Sequence, residues 1–178
     1  MIAVQVGEIL KTLLGDRMKG IEDKALPDFL EKLRYLGAAA FNEISVVPDN
    51  ITIASNISEL AQSAESDTVR TLLTQNQIPH QDLFENDEDI VYIQNYSDDW
   101  FGPTILVPIA ALIQNPNITS VVLGLITNYL YDAFKGGKDQ TVKLSIIKET
   151  TAGEFRKVSY DGPIQGMTEL ADIVNRIE

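Results

Sequence analysis

Between Thr71 and Phe134 the chain has no lysine and no arginine, and the same stretch holds its two most apolar runs, Trp100 to Ile113 and Ile118 to Leu130. Crossing a bilayer as a helix takes about 20 mostly apolar residues. The part from Thr104 to Ile113 is too short for that and is interrupted by Pro108; Gln114-Asn115-Pro116-Asn117 then breaks the sequence before the second run. Ile118 to Phe134 approaches the required length but contains Thr119, Ser120, Thr127, Asn128 and Asp132. Two buried helices after Pro103 are therefore expected. In the second, Ile118, Val121, Val122, Leu125, Ile126, Tyr129 and Leu130 follow the i, i+3, i+4, i+7 progression of one helix face. Asn117 is placed to cap it, and Gly124 to admit a close neighbour.

The acids of this stretch, Asp82, Glu85, Asp87, Glu88, Asp89, Asp98, Asp99 and Asp132, account for most of the formal net charge of −12. Such a balance disfavours nucleic acid, whose phosphates need basic contacts. Lys143, Lys148, Arg156 and Lys157 are the notable local exceptions. With 178 residues, 44% of them hydrophobic, the chain can build one core without a metal or a disulfide. It has no cysteine, which removes disulfides, thiolate catalysis and cysteine-ligated zinc or iron–sulfur sites. The opening Met1-Ile2-Ala3-Val4-Gln5-Val6 lacks the basic region of a signal peptide, so a cytoplasmic location is expected. The Asn-x-Ser/Thr triplets at Asn50, Asn56, Asn95 and Asn117 then read as turn and capping residues rather than glycan sites.

Hydrophobic periodicity organises the rest. Val6, Ile9, Leu10, Leu13 and Leu14 make a helical stripe, and a second, Phe29, Leu30, Leu33 and Leu36, starts after Pro27. Ile44, Val46 and Val47, then Pro48-Asp49-Asn50, then Ile51-Thr52-Ile53, predict two short strands around a turn. A short helix opens at Asn56 or Ser58, and Asp67 caps another that carries Val69, Leu72 and Leu73 and ends at Pro79. Ile90 to Tyr96 alternates as a strand. Thr141 to Lys148 and Glu154 to Tyr160 predict an antiparallel hairpin, Asp161-Gly162-Pro163 a turn, and Met167, Leu170, Ala171, Val174 and Ile177 a closing amphipathic helix. The expected fold is α+β, a small mixed or antiparallel sheet covered by several helices and ending in a β-hairpin–helix unit. It forms one compact domain over 1–178, divisible near residue 80 into a helical part, 1–80, and an α+β part, 81–178.

No diagnostic catalytic motif is present. His80 is the only histidine, which rules out a His-Glu-x-x-His metal site; a serine triad would have to recruit it with a distant serine, and no Gly-x-Ser-x-Gly elbow marks one. Gly136-Gly137-Lys138 lacks P-loop spacing and follows a helix. Gly162 to Gly166 precedes a helix, where backbone donors could meet an anion, but a strand-to-helix turn explains it as well. Asp82, Glu85, Asp87 and Asp89 are candidate ligands for a hard divalent cation, although they fail the calcium-loop pattern. Tyr92, Tyr96, Trp100 and Phe101 flank Asp98 and Asp99, a combination suited to a protein partner or a cationic ligand; Trp100 and Phe101 serve equally well as core anchors. The expectation is a non-enzymatic protein-interaction, regulatory or inhibitor-like module, with Tyr92, Tyr96, Asp98, Asp99, Trp100 and Phe101 facing a partner of basic surface. It needs no cofactor and contacts neither nucleic acid nor membrane. The alternatives are a divalent-cation-dependent enzyme using the clustered carboxylates, and a membrane-associated effector that exposes Ile118 to Phe134.

Overall fold

A computed structural model describes residues 20–85, 89–95, 97–135 and 140–178. The helix expected over Val4 to Leu14 and the Gly136-Gly137-Lys138 turn lie outside the described residues. In chain order the elements are β1 (Ile21–Ala25), α1 (Phe29–Tyr35), β2 (Ser45–Val47), a 3-10 turn (Ile57–Glu59), β3 (Ala61–Ser63) and α2 (Ser66–Gln75). Then follow β4 (Val91–Ile93), β5 (Trp100–Val107), α3 (Ile109–Gln114), α4 (Ile118–Ala133), β6 (Thr141–Glu149), β7 (Phe155–Pro163) and α5 (Met167–Arg176). The fold is α+β. Five strands form a mixed sheet in the order β1-β7-β6-β5-β2, in which only the β5–β6 pair is parallel. β3 and β4 form a separate two-stranded parallel ribbon.

The terminal hairpin forms because its arms alternate with period two. Val142, Leu144 and Ile146 of β6 and Val158 and Tyr160 of β7 point to one face, where they meet α4 and α5 in the larger core. α5 contributes Met167, Leu170, Ala171, Ile173 and Val174 to that core, and Ile177 packs against it. Asp161-Gly162-Pro163 continues β7 instead of turning the chain, because Val142 of β6 still pairs with Gly162. Gly162 has a packing reason: a Cβ there would come within 2.8 Å of the Tyr160 hydroxyl.

The first apolar run differs from expectation. Its Thr104 to Val107 portion belongs to β5, and only Ile109–Gln114 is helical. β5 lies inside the sheet and is buried on both faces: Ile105 and Val107 face the larger core, Leu106 the smaller one. A strand covered on both sides loses its alternation and resembles a buried helix in sequence. Pro103 is tolerated within it because the ladder shifts register between Phe101 and Thr104. α4 does bury an apolar side, but the side is rotated. Ile118, Thr119, Val122, Leu123, Ile126 and Leu130 are inside, whereas Val121 is exposed. Asn117 makes no side-chain cap, and a Cβ on Gly124 would meet nothing within 4 Å.

The smaller core lies on the opposite sheet face. Phe29, Leu33 and Leu36 of α1 join Ile51, Leu60, Leu83 and Phe84 against Val47, Leu106, Ile147 and Phe155. Residues 51–53 form consecutive turns, with Ile51 and Ile53 amides bonded to Pro48 and Asn50, so the second strand expected there is absent. Residues 21–25, ahead of the helix expected from Pro27, form β1 and pair antiparallel with β7. Thus β1 and β2, which precede residue 80, are hydrogen-bonded into the same sheet as the later strands.

Candidate functional site

The expected partner-facing residues occupy two different environments. β4 stands outside the main sheet, and Val91, Tyr92 and Ile93 are 59%, 44% and 47% exposed. Three successive exposed apolar residues on a strand are unusual, since one face of a strand is ordinarily covered. The Tyr92 hydroxyl donates to Asp67 at 3.1 Å, and Asp67 also accepts from Arg70. Ile93 borders a cavity of about 350 Å3 that Glu65, Asn95, Asp98, Asp99 and Phe101 also line. Asp98 is exposed.

Asp99 has a structural task. It accepts the Thr141 hydroxyl at 2.5 Å and the Thr141 amide at 3.3 Å, tying the approach to β5 to the start of β6. The Thr141 hydroxyl bond is the main reason its carboxyl is held below the usual aspartate range. Trp100 is a core residue at 4% exposure, its ring lying over Gly102, where a Cβ would come within 2.1 Å of it. It therefore cannot present its ring to a partner. Phe101 is half-buried beneath the Lys143 ammonium, 5.0 Å from the ring centre. Tyr96 lies outside the described residues.

The candidate metal ligands fall partly outside the described residues. Asp82 pairs with Arg70 at 3.3 Å, while Glu85 and Asp89 are exposed and Asp87 lies outside the described residues. Among the described residues no three His, Asp or Glu side chains are grouped to hold a metal ion. Among them, too, no helix is long and apolar enough to cross a membrane. His80 hydrogen-bonds through Nδ1 with the Ile78 carbonyl at 2.8 Å and lies half-buried at the end of the α2 connection.

Sequence reading missed a polar cleft on the sheet face that carries the smaller core. That core covers only part of the face, and the remainder is open over about 630 Å3. Its floor follows the strand register. Glu22, Ser159, Ser145 and Thr104 form one row across β1, β7, β6 and β5, and Asp161, Lys143 and Phe101 form the row beside it. Lys157 enters from the other side, opposite Lys24 on β1. Ser145 and Ser159 share a hydrogen bond of 3.0 Å, and Lys143 lies 3.6 Å from Asp161.

Asp49 closes one wall. Its carboxylate accepts the Ser63 amide at 2.8 Å and the buried Thr104 hydroxyl at 3.1 Å. Burial nevertheless outweighs these bonds and raises its pKa. Burial also lowers the pKa of Lys157, against the opposing pull of Asp49 and Glu22. The Lys157 ammonium has no hydrogen bond or ion pair among the described residues. The cleft thus holds an acid and a base that each carry a desolvation cost, a combination enriched at binding and catalytic sites. The serines and lysines at matching positions of the hairpin arms were visible in sequence. Asp49 was not, because Ser63 and Thr104 are 14 and 55 residues away.

Comparison of the chain with protein-family models, curated proteins and solved structures gave no match.

Proposed function

We propose that this protein is a non-enzymatic interaction module, regulatory or inhibitor-like, that binds a cytoplasmic protein of basic surface through β4 and its acidic surroundings. The observation that carries the reading is the exposure of Val91, Tyr92 and Ile93 in succession. Glu65, Asp67 and Asp98 border this apolar strip. A hydrophobic centre with a charged rim is the arrangement that makes association both tight and selective. The rim charges accelerate encounter with a cationic surface, and the apolar strip supplies the area removed from water. Asp99 and Trp100 act behind this surface: one anchors the adjoining loop, the other fills the core.

The test compares wild-type protein with Val91→Ser/Ile93→Ser and with Asp98→Asn in low-salt pull-downs followed by affinity measurement on any stoichiometric partner. All three altered side chains are exposed, so melting temperatures should be unchanged. The double variant is expected to weaken the complex by about tenfold or more, since one to a few apolar anchors dominate such interfaces. Asp98→Asn is expected mainly to slow association and flatten its salt dependence. A partner held equally well by all three proteins would place recognition elsewhere and overturn the assignment to β4.

A further inference from the structure

The open cleft on the sheet adjoins the β4 strip, since Ile93 also lines it, but its floor carries the charged and hydroxyl side chains of the strands. We propose that it binds a small zwitterion of the amino-acid class, with the ligand's carboxylate at Lys157 and its ammonium group at Asp49. Lys157 is a half-buried ammonium with no internal hydrogen-bond or ion-pair partner among the described residues. It also faces a like charge, Lys24, directly across the β1–β7 ladder. Like charges placed directly opposite each other in a sheet destabilise it. An anionic group bound at Lys157 removes both costs.

Asp49 presents the opposite need. Two donors, the Ser63 amide and Thr104 hydroxyl, use part of a carboxylate's roughly four acceptor positions. Asp49 and Lys157 sense each other's charge yet do not form an ion pair. They are therefore two separated poles of one cleft instead of a closed internal pair. Between them, Ser145 and Ser159 bond only to each other among the described residues, which leaves hydroxyl capacity facing the opening.

The remaining charges decide the ligand's class. Lys143 is engaged by Asp161 and the Phe101 ring, so Lys157 is the cation left for a ligand, while Glu22 and Asp49 supply carboxylates. A phosphate or dicarboxylate would meet one available ammonium and two repelling acids. A simple amine would leave Lys157 unpaired. A zwitterion answers both poles, and a volume of about 630 Å3 falls within the usual range for small-molecule sites.

Isothermal titration calorimetry on the full chain tests this, using the proteinogenic amino acids and, for any that binds, its deamino acid and its decarboxylated amine. At least one amino acid should bind with one-to-one stoichiometry, and each single-ended analogue should bind about tenfold or more weakly. Lys157→Met should abolish binding, and Lys157→Arg should retain it. Circular dichroism and thermal melting confirm that both variants are folded. Three results would overturn the proposal: no saturable amino-acid binding, equal binding of the deamino acid, or unchanged affinity in Lys157→Met. Because the β4 surface is untouched by these variants, failure here leaves the partner measurement independent.

Discussion

Lys157 illustrates how a single side chain can oppose folding while serving a site. Desolvation depresses its folded-state pKa below the ordinary 10.5. A base with a depressed folded pKa contributes stability above its unfolded value and loses it as pH falls through the folded value. At neutral pH the buried ammonium is thus a cost. Lys157→Met should raise the melting temperature at about pH 7, and the gain should shrink as pH rises toward 10.5 and vanish well above it, where the amine is neutral in both states. Melting curves across that interval check the sign; a neutral-pH loss would mean the amine has a stabilising partner. The residue-scale record in the sequence was uneven for a related reason. The exposed position of Asp98 was legible from polarity alone, whereas Asp99, one residue on, is committed to Thr141 across 42 residues. Trp100 was open to either reading until Gly102 was seen to accommodate its ring.

At the scale of elements, the hairpin and its closing helix were legible because their alternation and 3.6-residue stripe reflect one covered side each. β5 was not, because both of its faces are covered and its pattern becomes continuous. β1 escaped for the opposite reason: Ile21-Glu22-Asp23-Lys24-Ala25 is a charged edge strand with little apolar signal, held by pairing to β7 and by the Arg156–Asp23 bridge at 2.9 Å. The hairpin–helix unit also carries an internal cap invisible to local reading. Lys148, buried on β6, donates from Nζ to the Val174 carbonyl at 2.9 Å and to the Ile177 carbonyl, both at the end of α5. The Val174 carbonyl also accepts the capping Ile177 amide at 3.3 Å, so the ammonium is its second donor, and both carbonyls lie at the negative end of the helix dipole. Lys148→Met should keep the packing of the stem but take a donor from both carbonyls and strand that of Ile177, costing about 1–3 kcal/mol in chemical denaturation. A loss within about 0.5 kcal/mol would show that water replaces the ammonium freely.

For the molecule as a whole, the net charge of −12 acts on folding and on association with opposite salt dependences. Like charges over one compact body repel, and the unfolded chain relieves that repulsion by expansion. Raising ionic strength shortens the Debye length to about 8 Å at 0.15 M and about 3 Å at 1 M, so the repulsion fades while close internal pairs are less affected. The melting temperature of the free protein should therefore rise as potassium chloride is increased. Association with a basic partner should weaken over the same range, because the long-range attraction that brings the surfaces together is screened. The apolar contact at Val91, Tyr92 and Ile93 is not charge-based and should set a residual affinity that salt does not remove. Stability and affinity measured in one salt series separate these effects. Rising stability with falling affinity fits acids used for recognition; rising stability with constant affinity would assign the charge to solubility and leave the β4 strip acting alone.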